Sequence, residues 1–286
     1  MQGTTVRRRA LLALAVATAV TGVAACTAPD RSERPGPDDR GVRGGSLAAL
    51  RSAERATERA GSARVASTTT MGSLMSMTAR GALGWDGGIT GTLTLTYTGG
   101  TIADTMRRLG TTSMEARYLP DAYYARMGEK FADKAGGKRW IRYGYDDLEA
   151  LAGGSGAHLG DQMRSTTPNQ SVKLLLSSGD VRKVGRETVR GRRVTHWSGT
   201  VTTADVTDAA LRKRLTEAGV TTETVDIWLD ERNLLVKKVE KARMAGGPMT
   251  QTAHYADYGV RVRAERPPEA DTGDFEDLVR QGSGTP

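Results

Sequence analysis

Cysteine is almost missing from this chain of 286 residues: there is one, Cys26. A single thiol closes no disulfide within the chain, so the fold must be held by burial and hydrogen bonding. Phenylalanine is nearly as scarce, with two residues, and the three histidines His158, His196 and His254 are scattered. Zinc sites show close pairs supplemented by thiolates or carboxylates, a spacing these histidines lack. No Gly-x-Ser-x-Gly elbow occurs and no Ser-His-Asp set stands out. The Gly-rich stretch 153–160 has no Lys-Ser/Thr to make a phosphate loop of it and is expected to be a mobile loop, at most a lid. These absences point away from an enzyme and give no reason to expect a metal or a cofactor.

Apolar runs are also missing, except at the start. Arg7, Arg8 and Arg9 form a basic segment, and residues 10–25 carry no charge. That stretch is shorter than the roughly 20 residues a permanent transmembrane helix needs. A basic start, a short apolar stretch and small residues before a cut site describe a cleavable signal peptide. Val23-Ala24-Ala25-Cys26 matches the bacterial lipobox, in which an aliphatic and two small residues precede the cysteine that receives a diacylglyceryl anchor. The rival reading is an ordinary signal peptide ending on a chance cysteine; the position and the solitude of Cys26 favour the lipobox. The mature chain is then expected outside the cytoplasmic membrane, tethered to it. Arg8-Arg9 leaves both general and twin-arginine export open.

The expected organisation is a signal peptide over 1–25, a lipidated Cys26 and flexible tether over 26–45, one domain over 46–264, and a disordered acidic tail over 265–286. The tether mixes Pro, Gly and charge, and the tail carries Pro267-Pro268 and an acidic stretch; neither has an apolar pattern from which to build a core. The formal net charge of +8 falls to +5 when Arg7, Arg8 and Arg9 leave with the signal peptide. A modest surplus of this size favours anionic lipid headgroups or cell-wall polymers; it is too small and dispersed to argue for nucleic acid.

Within the domain, Ser46 is placed to cap a helix running to about Ala60, with Leu47, Leu50, Ala53, Ala56 or Thr57, and Ala60 on one face. Gly61 is a plausible stop. The period then changes to two. Strands are predicted over 65–77, 80–85, 91–98, 112–119, 122–127 and 139–143. In the third of these Leu93, Leu95 and Tyr97 alternate with threonines. Short helices are predicted over 145–151 and 171–177, strands over 181–189 and 193–201, and a helix over 203–218. The last strands are predicted over 224–229, 234–244, 250–258 and 260–264. Short turns between strands imply antiparallel pairing. Roughly ten strands and a few helices give an α+β fold, a curved antiparallel sheet curled over helices.

At this point a resemblance carries further. Val184-Gly185-Arg186-Glu187-Thr188-Val189-Arg190-Gly191, then Val194-Thr195-His196-Trp197-Ser198-Gly199-Thr200-Val201, the helix after them, Val225-Asp226-Ile227-Trp228-Leu229-Asp230 and Tyr255-Ala256-Asp257-Tyr258-Gly259 follow an order similar to the C-terminal half of the LppX/LprAFG group. These actinobacterial lipoproteins share a fold with the LolA/LolB carriers. The segments around Trp85 and Trp140 resemble the group's N-terminal half, so the likeness covers about residues 46–264. It implies a half-barrel that holds acyl chains of a lipid, glycolipid or lipidated partner, with no catalysis.

The residues themselves offer a lining for such a cavity: Met71, Met75, Met77, Leu93, Leu95, Tyr97, Met114, Tyr118, Tyr123 and Met127. Methionine suits variable apolar guests. The alternative is that these side chains simply fill the core, which would favour an envelope protein-interaction or sensory module with a protein partner. Arg182, Lys183, Arg186, Arg190, Arg192 and Arg193 crowd one hairpin, and Lys237, Lys238, Lys241 and Arg243 another strand. Set side by side they would form a basic strip facing anionic headgroups, with Arg190, Arg192 and Arg193 as its expected contacts.

Overall fold

The computed structural model describes residues 37–147, 167–244 and 247–283, all within one compact unit that begins at Pro37. The signal peptide, the lipobox with Val23, Ala24, Ala25 and Cys26, and the Gly-rich stretch 153–160 lie outside the described residues, as does most of the helix predicted over 145–151.

Helix α1 (Pro37–Ala60) begins nine residues before the predicted cap at Ser46 and takes in the second half of the stretch read as tether. A proline in the first helical turn gives up only a donor that has no partner there. Its buried stripe is Ser46, Leu50, Ala53 and Thr57, with Leu47, Ala56 and Ala60 half-buried beside it: the face expected from the helical spacing, with Ser46 added to it. Small residues occupy the stripe because α1 lies close to its neighbours, and Trp85 Nε1 donates to the Thr57 carbonyl at 3.1 Å near its end. Gly61, at φ +68°, ends the helix.

One twelve-stranded open sheet follows. The first wing holds β1 (Ser62–Met71), β2 (Met75–Gly84), β3 (Thr90–Gly99), β4 (Ser113–Tyr118), β5 (Ala122–Arg126) and β6 (Trp140–Gly144). Helices α2 (Gly100–Arg108) and α3 (Glu129–Lys134) are inserted between its strands. The strand expected over 65–77 is broken at Gly72, whose φ of +47° turns the chain back into β2. After α4 (Asn169–Leu176) comes the second wing, β7 (Arg182–Val189), β8 (Arg192–Thr202), β9 (Thr222–Asp230), β10 (Leu235–Met244) and β11 (Gly247–Ala256). The helix predicted over 203–218 is split into a 3-10 turn at Thr203–Asp205 and α5 (Ala209–Glu217). The order across the sheet is β12-β6-β5-β4-β3-β2-β1-β11-β10-β9-β8-β7. Each wing is a run of meander pairings, and β1 with β11 joins the two, from Arg64↔Ala256 to Met71↔Met249.

The strand count is twelve rather than about ten, and one addition comes from the segment read as a disordered acidic tail. Asp257 (φ +49°) and Gly259 (φ +80°) turn the chain after β11. Residues 260–264, predicted as a strand, instead run extended along the ends of β1 and β2, where Ser62 Oγ donates to the Val260 carbonyl at 2.6 Å. Arg266 then meets Asp121 at 2.9 Å and the Tyr124 hydroxyl at 2.6 Å. Arg139 pairs with Asp271 at 3.0 Å and Arg142 with Asp274 at 2.8 Å. The chain ends in β12 (Thr272–Asp274), parallel to β6, and α6 (Phe275–Ser283). The acidic residues are ordered by arginines on and beside β6, partners that composition does not display.

Two core clusters sit on one face of the sheet. The larger brings Leu50 and Ala53 of α1 and Val172, Leu174 and Leu175 of α4 onto Trp197, Val201, Val225, Ile227, Ala253 and Tyr255. A Cβ built at Gly199 would stand 2.8 Å from Leu175 Cδ1, so α4 rests directly on β8. The same face carries a buried ion pair, Lys238 Nζ to Glu240 Oε2 at 2.8 Å, with side chains 10% and 9% exposed. Removing one partner of such a pair is costly because the other charge stays desolvated. We expect K238M to lower unfolding free energy by about 3–5 kcal/mol, measured by urea denaturation. Gly91 has φ +142°, and a Cβ there would overlap the Ala82 carbonyl oxygen on β2. G91A is therefore expected to cost about 1–3 kcal/mol in the same measurement.

Candidate functional site

The second core cluster is where the sequence-derived candidates meet. Pairing in register places facing residues on the same side of the sheet, and the register runs Met71↔Met75, Met77↔Tyr97, Leu95↔Met114 and Tyr118↔Tyr123. Leu93 is two residues from Leu95, and Met127 continues the alternation from Tyr123 and Ala125. All ten candidates thus lie on one face of β1 to β5, the face that the helices cover in the other wing. Leu93, Leu95, Tyr118 and Tyr123 are buried there with Ala79, Leu83 and Tyr145. Met77, Met114, Met127 and Tyr143 are partly buried around them, and Met71, Met75 and Tyr97 are likewise only half-covered.

The tyrosines give the cluster its geometry. Tyr118 and Tyr123 meet edge-on with centroids 5.1 Å apart, Tyr123 and Tyr143 at 5.6 Å, and Tyr143 stacks on Phe275 of α6 at 4.7 Å. The sequence reading omitted Tyr143, Tyr145 and Phe275. Tyr143 and Tyr145 border the stretch where strand periodicity fades, and Phe275 lies in the segment read as tail. Burial pushes the phenols up: Tyr97 moves above its ordinary value, Tyr118 and Tyr123 well above it with help from neighbouring tyrosines, and Tyr143 to about 12. Such groups are stable occupants of apolar surroundings and poor acids at neutral pH. The arrangement is an apolar face, partly uncovered at Met77, Met114, Met127 and Tyr143.

The basic strip does not form. Successive strand residues point to opposite faces, so Arg192 and Arg193 cannot share a surface. Arg193 reaches Glu231 at 2.9 Å and is 83% exposed. Arg192 is half-buried, with one guanidinium nitrogen lacking a hydrogen-bond partner. Arg190 sits in the β7–β8 turn at φ +49°, and Lys238 is withdrawn into its buried pair with Glu240. On the outer face Lys237 lies 4.0 Å over the Trp228 ring.

The remaining titratable cluster is also on that outer face. His196 stacks on Trp228 at 4.2 Å, its Nε2 is 2.8 Å from Asp226 and its Nδ1 3.5 Å from Glu187. Among the described residues no group of three or more His, Cys, Asp or Glu is placed to hold a metal ion. His254 is lowered, first by burial and then by Arg190 and Lys237.

No family model matches the chain. Its fold is that of the LprF-type actinobacterial lipoproteins: the crystal structure of LprF from Mycobacterium bovis superposes with a TM-score of 0.51 at 13% identity, covering 78% of this chain and 97% of that one. In sequence, the chain is 57% identical to the Streptomyces coelicolor protein SCO4650, which carries a lipoprotein designation, over 99% of this chain and all of that one. It is 49% identical to an uncharacterised 31.2 kDa protein of Streptomyces griseus from the rplA-rplJ intergenic region, over 84% and 82% of the two chains. The chain belongs to this Streptomyces lipoprotein family. Among the described residues no helix is long and apolar enough to cross a membrane.

The tyrosine cluster yields a pH prediction. Its phenols are raised in the fold, so the unfolded chain releases their protons first, and stability is full below the ordinary phenol value of about 10. It falls as pH rises from there through the raised values, about 12 for Tyr143. Phenolate absorbance should lag that of free tyrosine at about pH 11 and appear together with loss of structure by circular dichroism.

Proposed function

We propose that the protein is anchored through Cys26 to the outer surface of the cytoplasmic membrane and binds, without catalysis, the acyl portion of a lipid, glycolipid or lipidated partner. The binding surface is the methionine- and tyrosine-rich face of β1 to β6. The observation that carries this reading is the contrast between the two wings. Over the second wing, α1 and α4 drive Leu50, Val172 and Leu175 into the sheet and fill it. Over the first, Met77, Met114, Met127 and Tyr143 stay partly uncovered around an apolar floor of Leu93, Leu95 and Ala116. Thioether side chains change rotamer at little cost, so this face accepts chains of differing length. The Val23-Ala24-Ala25-Cys26 lipobox and the lipoprotein designation of the 57%-identical relative support the anchored location.

Native mass spectrometry of the full chain, purified from an actinobacterial host, tests the reading. The expected result is a bound acyl lipid beyond the covalent anchor, reduced at least about fivefold in M77W, which fills the face beside Tyr97. Protein that carries only its anchor, and stays so after incubation with envelope lipids, overturns the reading and turns the search toward a protein partner.

A further inference from the structure

The opposite face of the first wing carries a second site. Strand register aligns Arg64, Ala82, Thr92 and Arg117 in one row across β1, β2, β3 and β4. The short side chains of Ala82 and Thr92 leave a trough between the two arginines. The segment after β11 forms its other wall, with Val260 and Val262 turned in and Arg261 and Arg263 exposed. The result is a cleft of about 320 Å³ lined by Arg64, Ala82, Thr92 and residues 260–263.

Three arginines, Arg64, Arg261 and Arg263, and one threonine, Thr92, are therefore among the residues around one small concavity. The negative charge nearby is limited. Asp257 reaches Arg64 at 3.2 Å, with both side chains about 60% exposed, and an exposed pair of that kind holds its partner weakly. Arg117 is engaged by Glu115 at 2.7 Å and by the Glu265 carbonyl at 2.9 Å. Among the described residues neither Arg261 nor Arg263 has an ion-pair partner. The wall is held in place independently of them: Tyr258 donates its hydroxyl hydrogen to the Leu235 carbonyl at 2.7 Å, and Gly259 N–H bonds the Ser62 carbonyl at 3.0 Å. Further along, Arg266 fixes the segment to Tyr124 and Asp121. A cleft with Arg261 and Arg263 unpaired among the described residues, with Arg64 held only by an exposed pair and with its backbone pinned at both ends, is built to receive an anion.

We infer that this cleft binds a phosphate ester group. Guanidinium forks match phosphate oxygens in pairs, Thr92 supplies a further donor, and the volume suits one headgroup-sized anion rather than a polymer. The group can arrive as a phospholipid headgroup or as a soluble phosphate ester. The site is separate from the acyl-binding face and does not depend on it.

The test uses the full chain in detergent, titrated with glycerol 3-phosphate and followed by phosphorus NMR, and the full-length C26S chain with vesicles of phosphatidylglycerol or phosphatidylcholine. R261E/R263E is compared with R107E/R108E, which makes the same charge change on the exposed side of α2. Binding weakened at least about tenfold in the first variant and less than about twofold in the second supports the site. Loss on phosphatidylglycerol vesicles assigns the headgroup as the source; loss with glycerol 3-phosphate alone assigns a soluble ester. No binding by the parent chain, or equal loss in both variants, overturns the inference, and lipid retention on the other face is unaffected in either case.

Discussion

Everything in this fold depends on the pairing of β1 with β11. Each wing is built from neighbours in sequence and would form a meander alone, but a meander exposes one apolar face. Eight antiparallel register pairs, Arg64↔Ala256 through Met71↔Met249, turn two wings into one sheet. Ser62 Oγ and the Val260 carbonyl, 198 residues apart, mark the end of that seam. The entropy of closing so long a loop grows only with the logarithm of its length, so a strand of hydrogen bonds and shared apolar neighbours suffices to offset it. Once closed, the seam gives α1 a floor: Ala63 of β1 and Tyr255 of β11 join the same cluster as Leu50 and Ala53.

The seam also divides the labour. On the second wing the helices supply the missing half of the core, and the sheet accommodates them with Gly199 beneath Leu175 and with small residues along α1. Among the buried polar side chains of this wing, Lys238 and Glu240 are held as an ion pair. On the first wing the covering comes from aromatic rings and thioethers of the sheet itself, with Phe275 returning from the C-terminus to stack on Tyr143. The sheet thus has a half packed by helices and a half whose methionine and tyrosine side chains stay partly uncovered.

Much of this was legible in the sequence, and the rest was hidden for identifiable reasons. Period-two alternation in Leu93, Leu95 and Tyr97 located β3 and the face it presents, and short turns gave the antiparallel order. Helical spacing placed Leu50, Ala53 and Thr57 on the buried face of α1, while Ser46, read as the cap, lies buried inside a helix that begins at Pro37. Basic residues adjacent in sequence suggested a strip, yet strand alternation sends Arg192 and Arg193 to opposite faces. The C-terminal segment was the largest miss: its order rests on Arg139, Arg142 and Arg266 meeting Asp271, Asp274 and Asp121. No local pattern encodes partners more than a hundred residues away. Alternation put the ten candidate residues on one face, while the ring contacts of Tyr143 with Tyr123 and of Phe275 with Tyr143 required the fold.

The parallel addition of β12 to β6 makes the two edges of the sheet unlike each other. An exposed strand edge is a template for pairing with another chain, and β6 gains its cover from residues 272–274, more than a hundred residues further along the chain. The opposite edge, β7, carries exposed Arg182, Lys183 and Arg186 along its length and is protected by charge from the moment it appears. One edge is guarded by its own composition and the other by a distant segment, so loosening residues 272–274 would leave β6 adhesive while β7 stays protected.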